Sequence, residues 1–161
     1  MTAGEGAPNV PQRRTLRFLL AGLLAAAMGP AAMAAEPSAD GKLTVVVENL
    51  RSDRGLVWVA LWKDAKGFTK SKAALARLQA PAGNGAVSFT FAELAAGRYA
   101  LATYHDENAN GEMDLTWIGW PKEGLGFSNG AWIGLLGAPS FKAAAVEVEA
   151  GAKSIVIPLR Y

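Results

Sequence analysis

The strongest constraint on this chain is an apolar period of two. In "AVSFTF" (86–91) Val87, Phe89 and Phe91 alternate with small or polar residues, and in "AAVEVEAG" (144–151) Val146 and Val148 alternate with Glu147 and Glu149. Successive side chains on an extended strand point to opposite faces, so this pattern specifies half-buried strands and not the three-to-four-residue repeat of a helix. Runs rich in β-branched and aromatic residues, "KLTVVVENL" (42–50), "GLVWVALW" (55–62), "GRYALATYHD" (97–106) and "KSIVIPLRY" (153–161), bring the count to at least six strands. The polar cluster "RSDR" predicts a hairpin between the first two, and Gly151 falls in a turn before the last. Only "KSKAALARLQA" (70–80), with Leu75 and Leu78 three apart and good helix formers, predicts a short helix, closed by "PAGNG". Short strands, frequent turns and no βαβ rhythm predict an all-β fold. The expected architecture is an antiparallel β-sandwich with a long loop segment and at most one short helix.

That domain is expected over residues 42–161, behind a short linker at 35–41. Residues 1–34 read as a signal peptide: Arg13, Arg14 and Arg17 precede the apolar run "FLLAGLLAAAM" (18–28), and "AAMAAE" places cleavage after Ala34. The apolar run is shorter than the roughly 18–20 residues that span a bilayer as a helix, so no membrane span is expected once the signal is removed. The Arg13-Arg14 pair also permits the twin-arginine route. The expected location is periplasmic or secreted. From Ala35 onward Lys+Arg and Asp+Glu both number 13, so the basic character of the whole chain belongs to its first segment. With charge balanced and interspersed, nothing supports a nucleic-acid partner, and none is expected. The chain has no Cys, which excludes disulfides, thiolate metal sites and cysteine nucleophiles.

The chemistry concentrates in "HDENANGEMD" (105–114). Asp106, Asn108 and Asn110 occupy the first, third and fifth positions of a calcium loop, Gly111 the sixth, the Glu112 carbonyl the seventh and Asp114 the ninth. Calcium prefers six to eight oxygen ligands, which such a loop supplies from alternate positions around a glycine turn. The twelfth position holds Trp117 in place of a bidentate Glu, and no helix signals flank the loop, so it is not an EF-hand. With Asp106 and Asp114 as its charges, a Ca2+ affinity on the order of 0.1–1 mM is expected, with Glu123 the nearest further carboxylate. The competing reading is a type I′ turn at Asn110-Gly111 in a polar hairpin. A turn needs only that pair, whereas the full alternation matches ion binding.

The next segment, 115–141, is glycine-rich, without clear strand period, and holds Trp117, Trp120, Phe127, Trp132 and Phe141. Either it displays an aromatic surface for a ligand, or its rings form a satellite core capping the sandwich. The second is expected, because large rings are usually buried.

Together "GLVWVALW", "LAAGRYALATYHDENANGEMD", "GWPKEGLGFSNGA" and "GAPSF" resemble the bacterial domain of unknown function (DUF) family 2141. The resemblance implies an exported single domain with a prealbumin-like or immunoglobulin-like sandwich, and brings no catalytic residues. A hydrolase would centre on His105 beside Asp106 and Tyr104, with Ser128 or Ser140 as nucleophile. Strand neighbours face opposite ways, so His105 and Asp106 are poorly placed to cooperate. The expectation is a non-enzymatic protein that binds calcium through Asp106, Asn108, Asn110, Glu112 and Asp114 and meets a ligand or envelope partner through 115–141. A structural envelope protein without metal is the alternative.

Overall fold

The computed structural model describes residues 41–135 and 137–161. The expected signal peptide and nearly all of the linker lie outside the described residues.

The chain forms β1 (Gly41–Glu48), β2 (Leu56–Trp62), β3 (Ala76–Pro81), β4 (Ala86–Leu94), β5 (Gly97–Asp106), β6 (Gly124–Phe127), a four-residue helix α1 (Phe141–Ala144), β7 (Ala145–Val148) and β8 (Gly151–Pro158). One sheet has the order β4-β1-β8 and the other β3-β2-β5-β6, with β7 following β6 along the same edge of β5. Leu43, Val45 and Val47 of β1 and Ile157 of β8 share a single core with Val57, Val59 and Leu61 of β2 and Leu101 of β5, all fully buried. Each such side chain stabilises the fold by roughly 1.5–3 kcal/mol, so the shared core holds the two layers together. The expectation of a β-sandwich with one short helix is met at this level.

Three details differ from the sequence reading. The first and last strands, β1 and β8, run parallel in register from Gly41↔Gly151 to Glu48↔Pro158, whereas the expectation was antiparallel throughout. Parallel neighbours need a long connection, and here nearly the whole domain is that connection. The predicted β1–β2 hairpin is instead a corner between the sheets, with β1 paired to β4 and β8 and β2 to β3 and β5. Alternation shows that a strand has a buried face but not which sheet it joins.

The predicted helix at 70–80 is a single 3₁₀ turn, Ser71–Ala73, leading into β3. Ala76, Leu78 and Ala80 pack against the core while Arg77 and Gln79 face out, so pairing with the edge of β2 overrides helix propensity. Among the described residues, no helix is long and apolar enough to cross a membrane.

Candidate functional site

The loop hangs from the end of β5. Asp106, the last residue of that strand, is fully buried. Its Oδ1 accepts the Asn110 backbone N–H at 3.1 Å and its Oδ2 the Gly111 N–H at 2.8 Å. Asn108 Oδ1 accepts the Asn110 N–H at 3.0 Å, and Asn110 Oδ1 the Glu112 N–H at 2.8 Å. The side-chain amides of Asn108 and Asn110 donate to the two oxygens of Asp114, at 2.7 and 3.3 Å. Glu123, only 4% exposed, ties the ends together, accepting the Glu107 N–H at 3.0 Å and the Asp114 N–H at 3.1 Å.

This geometry corrects the alternative reading of a type I′ turn at Asn110-Gly111. Such a turn needs positive φ at both residues, but the positive values fall at Ala109 (56°) and Gly111 (82°). The loop is built by side chains gathering backbone N–H groups.

A hard cation, if held here, would draw on this donor set. Every carbonyl and carboxylate oxygen above keeps a lone pair beyond its hydrogen bond. The contacts an ion would replace are the two amide bonds to Asp114. Asp106, Asn108, Asn110 and Asp114, with the Glu112 carbonyl, are the groups that would hold calcium, whose oxygen preference they match. The Glu112 side chain is exposed, and its backbone N–H belongs to the loop lacing. Among the described residues no three of His, Cys, Asp and Glu stand together as a ligand set. The loop offers two carboxylates and two amides.

His105 lies beside this loop, fully buried. Its Nε2 is 2.8 Å from the Arg54 carbonyl, which can only accept, so Nε2 carries the proton. Its Nδ1 accepts from the Tyr161 hydroxyl at 2.7 Å, and that oxygen accepts the Arg51 N–H at 3.1 Å. Arg51 pairs with Glu107, whose carboxyl is lowered to about 2 chiefly by this guanidinium, with further help from the Ser52 hydroxyl at 2.8 Å. Burial raises the Tyr161 phenol, and burial together with the Asp106 charge raises that of Tyr104. Ser128 is buried, accepting the Leu101 N–H at 2.9 Å, and Ser140 caps α1 through the Ala143 N–H. Neither serine approaches His105 by hydrogen bond. The Arg51–Tyr161–His105 connection joins residues far apart in sequence and left no local signal in it.

After Asp114 the chain makes a small finger. Leu115 bridges Pro121, and the Thr116 N–H bonds the Trp120 carbonyl at 2.7 Å. At its tip Trp117 is 97% exposed, with Ile118 and Trp120 also exposed. The expectation that this segment's rings form a satellite core is therefore correct only for its second half. Phe127 is buried, and Trp132 and Phe141 pack around it with Phe68. The sequence reading also missed β6 inside the segment. Its inward positions are Gly124 and Gly126, where an added Cβ would lie 2.6 Å from the Tyr161 ring and 2.8 Å from Ile157. Glycines at alternate positions in "GLGF" were the available signal.

These features define a small two-sheet β-sandwich whose polar chemistry is carried by one side-chain-laced loop. The chain belongs to the bacterial family DUF2141, described as an uncharacterized protein conserved in bacteria, whose model matches residues 45–156. That span takes in the loop, the finger and β6. No curated protein and no solved structure matches the chain.

Proposed function

We propose that this protein is an exported, non-enzymatic binding module. In this reading the Asp106–Asp114 loop takes calcium and the 115–141 segment meets a ligand or envelope partner in the periplasm or outside the cell. The observation that carries it is the convergence of Asp106, Asn108, Asn110 and Asp114 in a loop closed by buried Glu123 and continuous with the exposed finger. Export is supported by the basic start and short apolar run ahead of Ala34. The non-enzymatic reading is supported by His105, Ser128 and Ser140, each engaged in structural hydrogen bonds. An immunoglobulin-like or prealbumin-like topology is supported by Tyr99, whose hydroxyl bonds back to the Ala95 carbonyl at 2.7 Å, a corner device of Greek-key sandwiches.

The test is calorimetric titration of calcium into the chelator-treated domain, residues 35–161, with thermal melts alongside. Binding on the order of 0.1–1 mM is expected, lost in Asp106→Asn and Asp114→Asn. Absence of heat with an unchanged melting temperature would overturn the calcium assignment. It would support an ion-free structural protein, a reading favoured by the amide bonds that already close the loop on Asp114.

A further inference from the structure

The outer face of the five-stranded sheet carries a cleft that the loop chemistry does not use. On this face Trp58 stands opposite Tyr104, and Ala60 opposite Ala102, across β2 and β5. The Trp58 and Tyr104 rings stack with centroids 6.2 Å apart, while Trp62 and Phe127 bound the other end. Two short alanine side chains between aromatic walls leave a depression, and Leu115 and Pro121 at the base of the finger form part of its lining. The cavity is about 480 Å³, within the roughly 300–1,000 Å³ of small-molecule sites.

Among the described residues of its lining, Trp58 and Thr103 hold buried polar atoms without a partner, and Arg77 is a cation without a carboxylate. The Trp58 indole nitrogen is buried with no hydrogen-bond partner. Arg77, paired with Ala60 across β2 and β3, holds its guanidinium 5.0 Å from the Trp58 ring centroid and forms no ion pair among the described residues. The one carboxylate of the wall, Glu112, is exposed on the loop side.

We propose that this cleft binds a small amphipathic acid, its apolar body over Ala60 and Ala102 and its anionic head met by Arg77 beside the Trp58 ring. The inference rests on the binding-module reading and names its ligand class, but floor and cation lie on strands, so it does not require calcium.

Three probes with one tail and different heads test it: decanoate, decanol and decyltrimethylammonium, titrated below their micelle concentrations. Each is added to the domain in calcium and in chelator, while the indole N–H resonance of Trp58, assigned with Trp58→Phe, is followed. Decanoate is expected to bind about tenfold more tightly than decanol, with the cation weakest, and to shift the Trp58 resonance. Arg77→Gln should erase the preference for the acid, and Ala60→Leu or Ala102→Leu, which fill the floor, should abolish binding. Equal affinities for all three heads, or binding that survives both filling substitutions, would overturn the proposal. Decanoate binding in chelator beside a silent calcium titration would uphold the cleft and remove only the calcium assignment.

Discussion

Replacing Glu123 by Ala removes the one side chain that holds both ends of the loop. Its carboxylate accepts two backbone N–H bonds, at 3.0 and 3.1 Å, from a position only 4% exposed. Hydrogen bonds to a charged group contribute roughly 1.5–3 kcal/mol each. Glu107 and Asp114 are half-buried, so water can reach the freed N–H groups and the lower end of that range applies. The expected loss is about 2–3 kcal/mol, or ~8–12 °C in melting temperature for a domain of this size. Glu123→Gln keeps the shape and one acceptor but turns an amide N–H₂ toward the second donor, so about half the loss is expected. Urea denaturation of residues 35–161 gives the free energy, and hydrogen exchange at the Glu107 and Asp114 amides gives its location. A Glu123→Ala midpoint shift equivalent to less than about 0.5 kcal/mol, with both amides still protected, would refute the clamp, because that is the scatter of indifferent surface changes.

The Glu107 carboxyl is held at about 2 against an ordinary 4.5, so its ion pair stabilises the fold above about pH 4.5 and is lost as pH falls toward 2. Arg51→Met should cost about 1 kcal/mol at pH 7, discounted because Arg51 is half exposed, and the difference should vanish in urea melts near pH 2. Gly126→Ala places a Cβ 2.8 Å from Ile157 and 3.0 Å from the Pro158 carbonyl, and should destabilise by about 1–3 kcal/mol in the same assay. Trp117→Ser should move the urea midpoint by no more than about 0.5 kcal/mol, because the ring is 97% exposed.

The strands that alternate visibly were legible: β4 begins at Ala86 and β5 runs from Gly97 to Asp106, as the pattern indicates. Two strands were not, for different reasons. In β3 the inward residues are mostly alanines, whose small apolar side chains suit helix and strand alike, and Leu75 imitated a helical partner of Leu78 although it is exposed. In β6 the inward residues are glycines, and the apolar Leu125 and Phe127 alternate with them over only four residues, too short a run to mark a strand. The order of polar residues from Asp106 to Asp114 foretold a convergent loop. It could not show that Asn108 and Asn110 turn their amide nitrogens toward Asp114, because that depends on where the backbone N–H groups fall.

The end of the sandwich that carries the loop is fastened from several directions. Glu123 ties it to the start of β6, Arg51 and Ser52 hold Glu107 from the β1–β2 corner, and His105 bolts β5 to Tyr161 at the chain's C-terminus. Gly124 leaves the space that the Tyr161 ring fills. The finger grows from this stiff base and has an ordered backbone, with Gly119 bonded to Thr116 at 2.9 Å and Lys122 to Asp114 at 2.9 Å. Its large apolar side chains nevertheless face water. Exposed Trp117, Ile118 and Trp120 add little to folding, and a cluster of this kind lowers solubility, so the arrangement is hard to derive from stability alone. It is what a contact surface requires. A segment ordered before binding loses less conformational freedom on binding, and aromatic rings supply large contact area with few rotatable bonds. In the proposed reading the polar lacing and the apolar tip belong to one physical arrangement, in which the loop supplies rigidity and the finger supplies the contact area.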